Sequence, residues 1–150
     1  MKTINDILNH LTEVNADPMI VRPATDEDIN GCNKDFAECE LGVTLPEGYT
    51  AFLKMLNGFA WNGIEFYSTD QVTNPESGYM LNDIVSANED FRINNEGLEQ
   101  CVQLGRADED LYVYNTENGR YEVLDMDGRD VMEDFATFEE LFVGVTFPRI

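Results

Sequence analysis

Thiol and imidazole groups, which serve as nucleophiles, bases and zinc ligands, are scarce in this sequence of 150 residues. They comprise three cysteines, Cys32, Cys39 and Cys101, and a single histidine, His10. An odd number of cysteines without a C-x-x-C pair does not form a disulfide framework, and a zinc site needs more ligands. We therefore interpret the thiols as small, reduced, apolar residues, and nothing in the sequence pairs His10 with one of them.

Carboxylates are abundant, and two acidic clusters have a spacing that suggests chemistry. Residues 125–130 resemble a calcium-binding loop, but the glycine follows the second acid and no glutamate occupies the twelfth position. The Asp-Gly pair in this segment favours a hairpin turn instead. The second cluster, Asp108, Glu109 and Asp110, has the acid and base that glycoside hydrolysis requires. Because three consecutive acids on a loop diverge and repel one another, we interpret them as a solvated charge cluster.

Motifs that bind phosphate or hold a catalytic serine are missing from the sequence. It contains no G-x-S-x-G, Walker or dinucleotide-binding pattern. The sequence therefore predicts a protein that is not an enzyme, with no catalytic residues, no cofactor and no metal. A small hydrolase that uses an Asp/Glu pair is the weakest of three functional hypotheses.

The balance of charge restricts the partners of the protein. Nine lysines and arginines stand against 30 aspartates and glutamates, which gives a formal net charge of −21 at pH 7. Such a charge repels the phosphate backbone of nucleic acids and anionic lipid surfaces, so we exclude both as partners. No apolar run approaches the ~20 residues of a membrane span, and the N-terminus lacks the apolar region of a signal peptide. These features predict a cytoplasmic protein.

The acidic residues are concentrated in the second half of the chain. Residues 106–140 contain twelve acids and three bases, a net charge of −9. One interpretation is a surface that keeps the protein soluble, and the other is a field that attracts a basic protein partner. The second interpretation makes Asp108, Glu109 and Asp110 candidate contact residues. Neither interpretation indicates an oligomeric state.

Two aromatic residues are candidate anchors for a protein partner. Trp61 lies in the segment 58–63, between the end of a helix and a strand. A tryptophan in such a place is either a binding anchor or a lid on the core. Tyr67, at the end of the strand predicted over residues 64–67, is the second candidate anchor.

The elements that position these residues begin with three amphipathic helices. Apolar residues at helical spacing predict helices over residues 3–15, 25–41 and 45–56, with Thr3 and Thr25 as N-caps. The residues expected to face the core are Ile4, Ile7, Leu8, Leu11 and Val14 in the first helix, Ile29, Cys32, Phe36 and Cys39 in the second, and Leu45, Tyr49, Phe52, Leu53 and Leu56 in the third. Residues 81–93 are ambiguous, with Asn82 as a candidate cap for a short helix.

The second half of the sequence predicts an antiparallel meander. Strands are expected over residues 101–104, 111–114 and 121–124, with hairpin turns at Asn118-Gly119 and Asp127-Gly128. Thr137 then has capping-box spacing for a last helix. Because no strand–helix–strand crossovers alternate, the fold class is α+β. We expect residues 1–150 to form a single domain, with a core over about 25–145 and the helix 3–15 as an N-terminal extension.

Several short motifs of the sequence, taken together in their order along the chain, resemble the signature of the SUKH superfamily. This superfamily includes yeast cell-wall assembly and glucan-synthesis regulators of the Smi/Knr type. The signature comprises Leu-Gly and Leu-Pro pairs and an aromatic residue within residues 41–49, followed by Asn57-Gly58. The segments 102–106, 125–128 and 137–142 are similar to its later half. The resemblance covers about residues 25–145.

The resemblance implies an α+β fold with a curved sheet backed by helices, and it supplies no catalytic residues. In bacteria it implies an immunity protein, which binds and blocks a toxin domain delivered by a competing cell. Many such toxins are nucleases with a basic cleft, which an acidic inhibitor complements. Our first hypothesis is therefore a toxin-neutralising binding module, and the second is a regulatory scaffold related to the cell-wall regulators.

Overall fold

A seven-stranded antiparallel sheet organises the fold, with the strand order β1-β2-β3-β6-β7-β8-β9. The computed structural model describes residues 2–150. The strands are β1 (Met19–Ile20), β2 (Phe59–Trp61), β3 (Ile64–Phe66), β6 (Cys101–Arg106), β7 (Asp110–Asn115), β8 (Arg120–Asp125) and β9 (Val131–Phe135), and a separate hairpin pairs β4 (Val72–Thr73) with β5 (Met80–Leu81). The antiparallel meander β6 to β9 and the helices around it confirm the predicted α+β class.

Five α-helices and a terminal 3₁₀ turn accompany the sheet within residues 2–150. They are α1 (Ile4–Glu13), α2 (Asp26–Glu38), α3 (Glu47–Met55), α4 (Ile84–Asn94), α5 (Phe138–Thr146) and the 3₁₀ turn Phe147–Arg149. The predicted caps are confirmed: the hydroxyl oxygens of Thr3 and Thr25 each accept a hydrogen bond at 3.1 Å from the backbone three residues ahead. The ambiguous segment becomes α4, and its cap is Asp83 instead of Asn82.

A cluster of aromatic rings joins α3 and α5 to one face of the sheet. Phe52 of α3 lies 4.9 Å from Phe138, 5.6 Å from Phe142 and 6.0 Å from Phe66, measured between ring centroids. Tyr49 packs edge-on against Phe138 at 5.0 Å, and its buried hydroxyl donates to the carbonyl of Leu104 at 3.2 Å. The predicted inward stripe of the third helix, Leu45, Tyr49, Phe52, Leu53 and Leu56, is buried throughout.

The opposite face of the sheet is covered in part by α4. Phe91 of α4 packs with Cys101, Leu111 and Val113, whereas Val102 belongs to the aromatic core on the other side. Side chains of a strand alternate between the two faces, so β6 and β7 are buried on both. This explains why these strands are apolar at consecutive positions.

Two core predictions are wrong at helix ends. Val14 is 55% exposed and Cys39 is exposed, although both fit the apolar spacing. The first helix stops at Glu13, because Asn15 adopts a positive φ of 53°. The second helix stops at Glu38, and Glu40 has a φ of 53°. The chain therefore turns away before the next core-facing position.

The predicted turn geometry also needs correction at two places. In the β8–β9 turn the residue with positive φ is Arg129, at 61°, instead of Gly128. Trp61, expected on a loop, belongs to β2, which joins β3 through the two-residue turn Asn62-Gly63 with φ values of 49° and 82°. An Asn-Gly pair is the residue choice that such a tight hairpin favours.

Gly105 lies where β6 approaches β3 most closely, which gives a testable prediction. A Cβ at this position would lie 2.1 Å from the carbonyl oxygen of Glu65 and 2.8 Å from the Phe66 ring. We expect Gly105→Ala to lower the free energy of unfolding by about 1–3 kcal/mol, because relief requires separating paired backbones. Urea unfolding followed by circular dichroism measures this change.

The control for this prediction is Gly31→Ala on α2. No atom lies within 4 Å of a Cβ at that position, so alanine should stabilise the helix by about 0.5–1 kcal/mol. If both variants unfolded at the wild-type urea concentration, the close approach of β3 and β6 would be contradicted.

Candidate protein-binding surface

Three hairpin turns meet at one end of the sheet, and we call this end the acidic rim. It consists of the turns 62–63, 107–109 and 126–130 with the strand residues that flank the last two, Asp110 and Asp125. Glu65 of β3 pairs with Arg106 of β6, so the turn before β3 lies beside the turn after β6. The backbone N–H of Met126 donates to the carbonyl of Glu109 at 2.9 Å, which fixes the second turn against the third.

Carboxylates dominate the side chains of the acidic rim. Its acids are Asp108, Glu109, Asp110, Asp125, Asp127 and Asp130. Asp110 and Asp125 are half-buried, and the other four are exposed. The predicted cluster 108–110 is thus part of a larger acidic surface, to which the β8–β9 turn contributes.

Each of the three arginines near the acidic rim forms an ion pair or a hydrogen bond with another residue of the protein. Arg106 lies 3.4 Å from a carboxylate oxygen of Glu65, measured from Nε. Arg129 donates to the side-chain oxygen of Asn95, and Arg149 donates to the carbonyl of Asn62 at 2.9 Å. Arg106 and Arg129 are directed toward Glu65 and Asn95, whereas Arg149 lies at the 62–63 turn of the rim, close to Asp108. The six rim carboxylates outnumber this one cation, so the charge of the rim stays negative.

Trp61 lies at the border between the main core and the surface. It is partly buried and packs against the main core, opposite Ile64 in the β2–β3 hairpin. It also lines a cleft of about 390 Å³ between this hairpin and the loop that connects β4 to β5. Acidic and aromatic residues surround the cleft, including Asp17, Glu76 and Tyr79.

The cleft and the acidic rim are adjacent. Gly63 lines the cleft, and a Cβ at this glycine would lie 3.7 Å from a carboxylate oxygen of Asp108. Tyr79, on the far wall, is 43% exposed, and its hydroxyl donates to the carboxylate of Glu65. Burial and the hydrogen bond to Glu65 raise the pKa of Tyr79, so the phenol stays a neutral donor at physiological pH. Four of the five predicted contact residues therefore lie around one continuous surface.

Tyr67 is the predicted residue that the fold places elsewhere. Its side chain is 4% exposed, and its hydroxyl accepts a hydrogen bond from the Gln103 amide at 3.2 Å. Burial raises the pKa of this phenol. The ring forms a wall of a polar groove of about 530 Å³ between α4 and the sheet. Tyr67 thus presents almost no surface to a partner at the acidic rim.

The three cysteines lie outside the acidic rim: Cys32 and Cys101 are buried, and Cys39 is exposed. Burial raises the pKa of Cys32 and of Cys101 to about 12, so both thiols are protonated at neutral pH. Cys39 is exposed at the end of α2, and desolvation followed by the charge of Glu89 raises the pKa of this thiol too. Among residues 2–150, no three His, Cys, Asp or Glu side chains are grouped closely enough to hold a metal ion.

One buried carboxylate was missed by the analysis of the sequence. Glu122 of β8 is 5% exposed, and its oxygens accept hydrogen bonds from the amides of Asn118 at 3.1 Å and Asn115 at 3.4 Å. Amide donors replace the water that the carboxylate loses on folding. The signal in the sequence is the pair of asparagines that flanks the β7–β8 turn. The cross-strand neighbour of Glu122 on β9 is Asp134, whose carboxylate is paired with Arg120 at 2.6 Å. This arrangement stabilises the β7–β8 hairpin.

Residues 23–144 match the sequence model of the SMI1 / KNR4 family (SUKH-1). The chain belongs to this family. The match confirms the predicted SUKH resemblance and includes Trp61, the acidic rim and the first seven residues of α5. SUKH domains are generally non-catalytic binding domains. A comparison with proteins of curated function gives no significant match.

Helix α1 precedes the matched segment of the SUKH domain but packs into its core. Ile4, Ile7 and Leu11 are buried, and the backbone N–H of Ile4 donates to the Glu139 carboxylate on α5 at 3.1 Å. In the described part of the chain, every helix is too short or too polar to cross a lipid bilayer.

Proposed function

We propose that this SUKH protein is a bacterial immunity protein that neutralises a basic, nuclease-type toxin domain by covering its active cleft. The observation that carries the proposal is the acidic rim beside the aromatic cleft. Six carboxylates on adjacent turns offer a surface to a basic partner, and Trp61 and Tyr79 offer aromatic contacts next to it.

The charge of the rim suits a nuclease better than other classes of toxin. A nuclease cleft carries cations that bind the phosphates of its substrate. Carboxylates on rigid turns can take the place of those phosphates, which would exclude the substrate from the cleft. The rim turn 107–109 connects β6 and β7, two strands that are buried on both faces, so the geometry of this turn is fixed before binding. Such preorganisation reduces the entropy that binding costs.

The residues that we propose to make contact are Trp61, Asp108, Glu109 and Asp110, together with Asp127 of the acidic rim and Tyr79 of the cleft. Tyr67 acts indirectly in this proposal, as a buried wall of the neighbouring groove. In this proposal the partner binds a preformed surface, and the SUKH protein catalyses no reaction. We place the function in the bacterial cytoplasm, where a nuclease toxin would reach its substrate.

A regulatory scaffold for an endogenous enzyme is the second candidate function. The observation in its favour is the match to the SMI1 / KNR4 family, because the SUKH superfamily that the sequence resembles includes yeast cell-wall regulators of the Smi/Knr type. An acidic surface also suits a basic enzyme of the host cell. The two functions differ in the partner, and therefore one binding experiment separates them.

The experiment uses the toxin domain encoded beside this gene, expressed as the active enzyme. The purified SUKH protein should form a stoichiometric complex with the toxin on size-exclusion chromatography and abolish its cleavage of plasmid DNA. Toxin domains from unrelated loci serve as controls and should stay active. If the neighbouring toxin neither binds nor loses activity, the immunity function is wrong and the scaffold becomes the better candidate.

A further inference from the structure

The last strand of the sheet, β9, has an unpartnered outer edge. It pairs with β8 on one side, and no other described element pairs with it on the other. Residues 131–134 are exposed, and the apolar side chains of Val131 and Met132 are 51% and 62% exposed. The opposite edge of the sheet, β1, is only two residues long and offers little to a partner. Strand β9 is therefore the edge that can template an added strand.

Acidic residues outnumber basic ones in the segment that contains this edge. The segment 130–140 contains five acids and no lysine or arginine. Asp134 is engaged by Arg120 of β8, whose guanidinium lies 2.6 Å from its carboxylate oxygen. The other four acids, Asp130, Glu133, Glu139 and Glu140, are exposed. Its acidic side chains and the register shift opposite β8 protect this edge against strands of neutral or negative charge, whereas a basic strand would meet complementary charge.

A second copy of the chain does not suit this edge. Antiparallel pairing of β9 with itself, centred on Glu133, would place the two Glu133 carboxylates directly opposite each other. A shift by one residue opposes Glu133 to Asp134 in one direction and to Met132 in the other, and neither register forms a pair of opposite charges. Like charges at opposed positions destabilise a strand pair, and each chain carries a net charge of −21.

We propose that the outer edge of β9 binds an extended, basic segment of a protein partner as an eighth strand. Backbone hydrogen bonds supply affinity in this mode, and side chains at alternate positions supply specificity. Lysine or arginine opposite Glu133 neutralises its charge, and an apolar residue at the other end covers Val131. The strand begins at Val131, directly after Asp130 of the acidic rim, so a single partner can occupy both surfaces.

The test uses a synthetic peptide with lysines in one half and valines in the other, so that antiparallel pairing can set lysine opposite Glu133 and valine opposite Val131. The control peptide has the same side chains but is N-methylated at two adjacent central nitrogens, which point to the two opposite edges of a strand. We expect the first peptide to bind and to slow hydrogen exchange of amides within residues 131–135. The N-methylated peptide should bind at least tenfold more weakly, because it cannot pair along its full length.

Two charge-reversal variants show where the peptide binds and distinguish strand addition from non-specific electrostatic attraction. Glu133→Lys should weaken binding of the lysine–valine peptide about tenfold, whereas Glu27→Lys, an equal charge change on an exposed helical position, should leave it nearly unchanged. Equal binding of both peptides would overturn the proposal in favour of charge alone. Failure of both to bind, or dimerisation of the protein through β9, would overturn it as well. None of these outcomes depends on the toxin.

Discussion

Replacement of Phe52 by alanine is expected to lower the free energy of unfolding by about 3–5 kcal/mol. Phe52 is 1% exposed and contacts aromatic rings from α3, β3 and α5, so its removal leaves a cavity that these rigid rings cannot fill. A domain of this size has a total stability of about 5–15 kcal/mol, so the loss is a large share of it. Urea unfolding measured by tryptophan fluorescence and circular dichroism gives the value.

The matched control is Met55→Ala on the same helix. Met55 is 38% exposed, so the variant changes the helix by one side chain with little loss of core packing. We expect a decrease of less than about 1 kcal/mol for this control, in the range of surface substitutions. A Phe52→Ala protein with the same urea midpoint as the Met55→Ala protein would contradict the placement of the helix face.

Reversal of Asp108, Glu109 and Asp110 to lysine is expected to slow association with the toxin domain by about 10–1000-fold at low salt. The three residues lie on the acidic rim and contribute half of its carboxylates. For the wild type, the on-rate should fall steeply as salt rises, because the screening length decreases from roughly 30 Å at 0.01 M to ~8 Å at 0.15 M. Stopped-flow fluorescence at several salt concentrations measures both effects.

The control for the triple reversal carries the same change of charge away from the rim. Glu13, Glu27 and Asp35 are exposed on α1 and α2, and their reversal to lysine changes the net charge equally. The on-rate of this control should stay well above that of the rim variant. If the two variants associated equally fast, total charge would determine the rate and the rim would have no special role.

Local signals explain which parts of the fold the sequence predicted. The capping boxes at Thr3 and Thr25 and the apolar stripe of α3 are determined within a few residues, and they are confirmed. Strand β1 was missed as a sheet member because its pairing depends on residues 59 and 60, far along the chain. Strand β9 was missed because a register shift opposite β8 breaks the alternation of its side chains.

The candidate surface was predictable only in part, for a similar reason. The acidic run at residues 108–110 is visible in the sequence, but its neighbours on the β8–β9 turn join it only through the pairing of β7 with β8. The burial of Tyr67 depends on α4 and on Gln103 of β6, which lie at least sixteen residues away. The Asn62-Gly63 pair was a local signal for the β2–β3 hairpin, and it places Trp61 on a strand.

The position of Trp61 makes the protein its own optical reporter. It is the single tryptophan of the chain, it is partly buried, and it lies between the main core and the cleft beside the acidic rim. Indole emission therefore comes from one known place and responds to the polarity there. A ligand that displaces water from the cleft should shift this emission toward the blue, and a quencher such as iodide should lose access to the ring. Occupancy of the cleft can thus be followed without any attached dye.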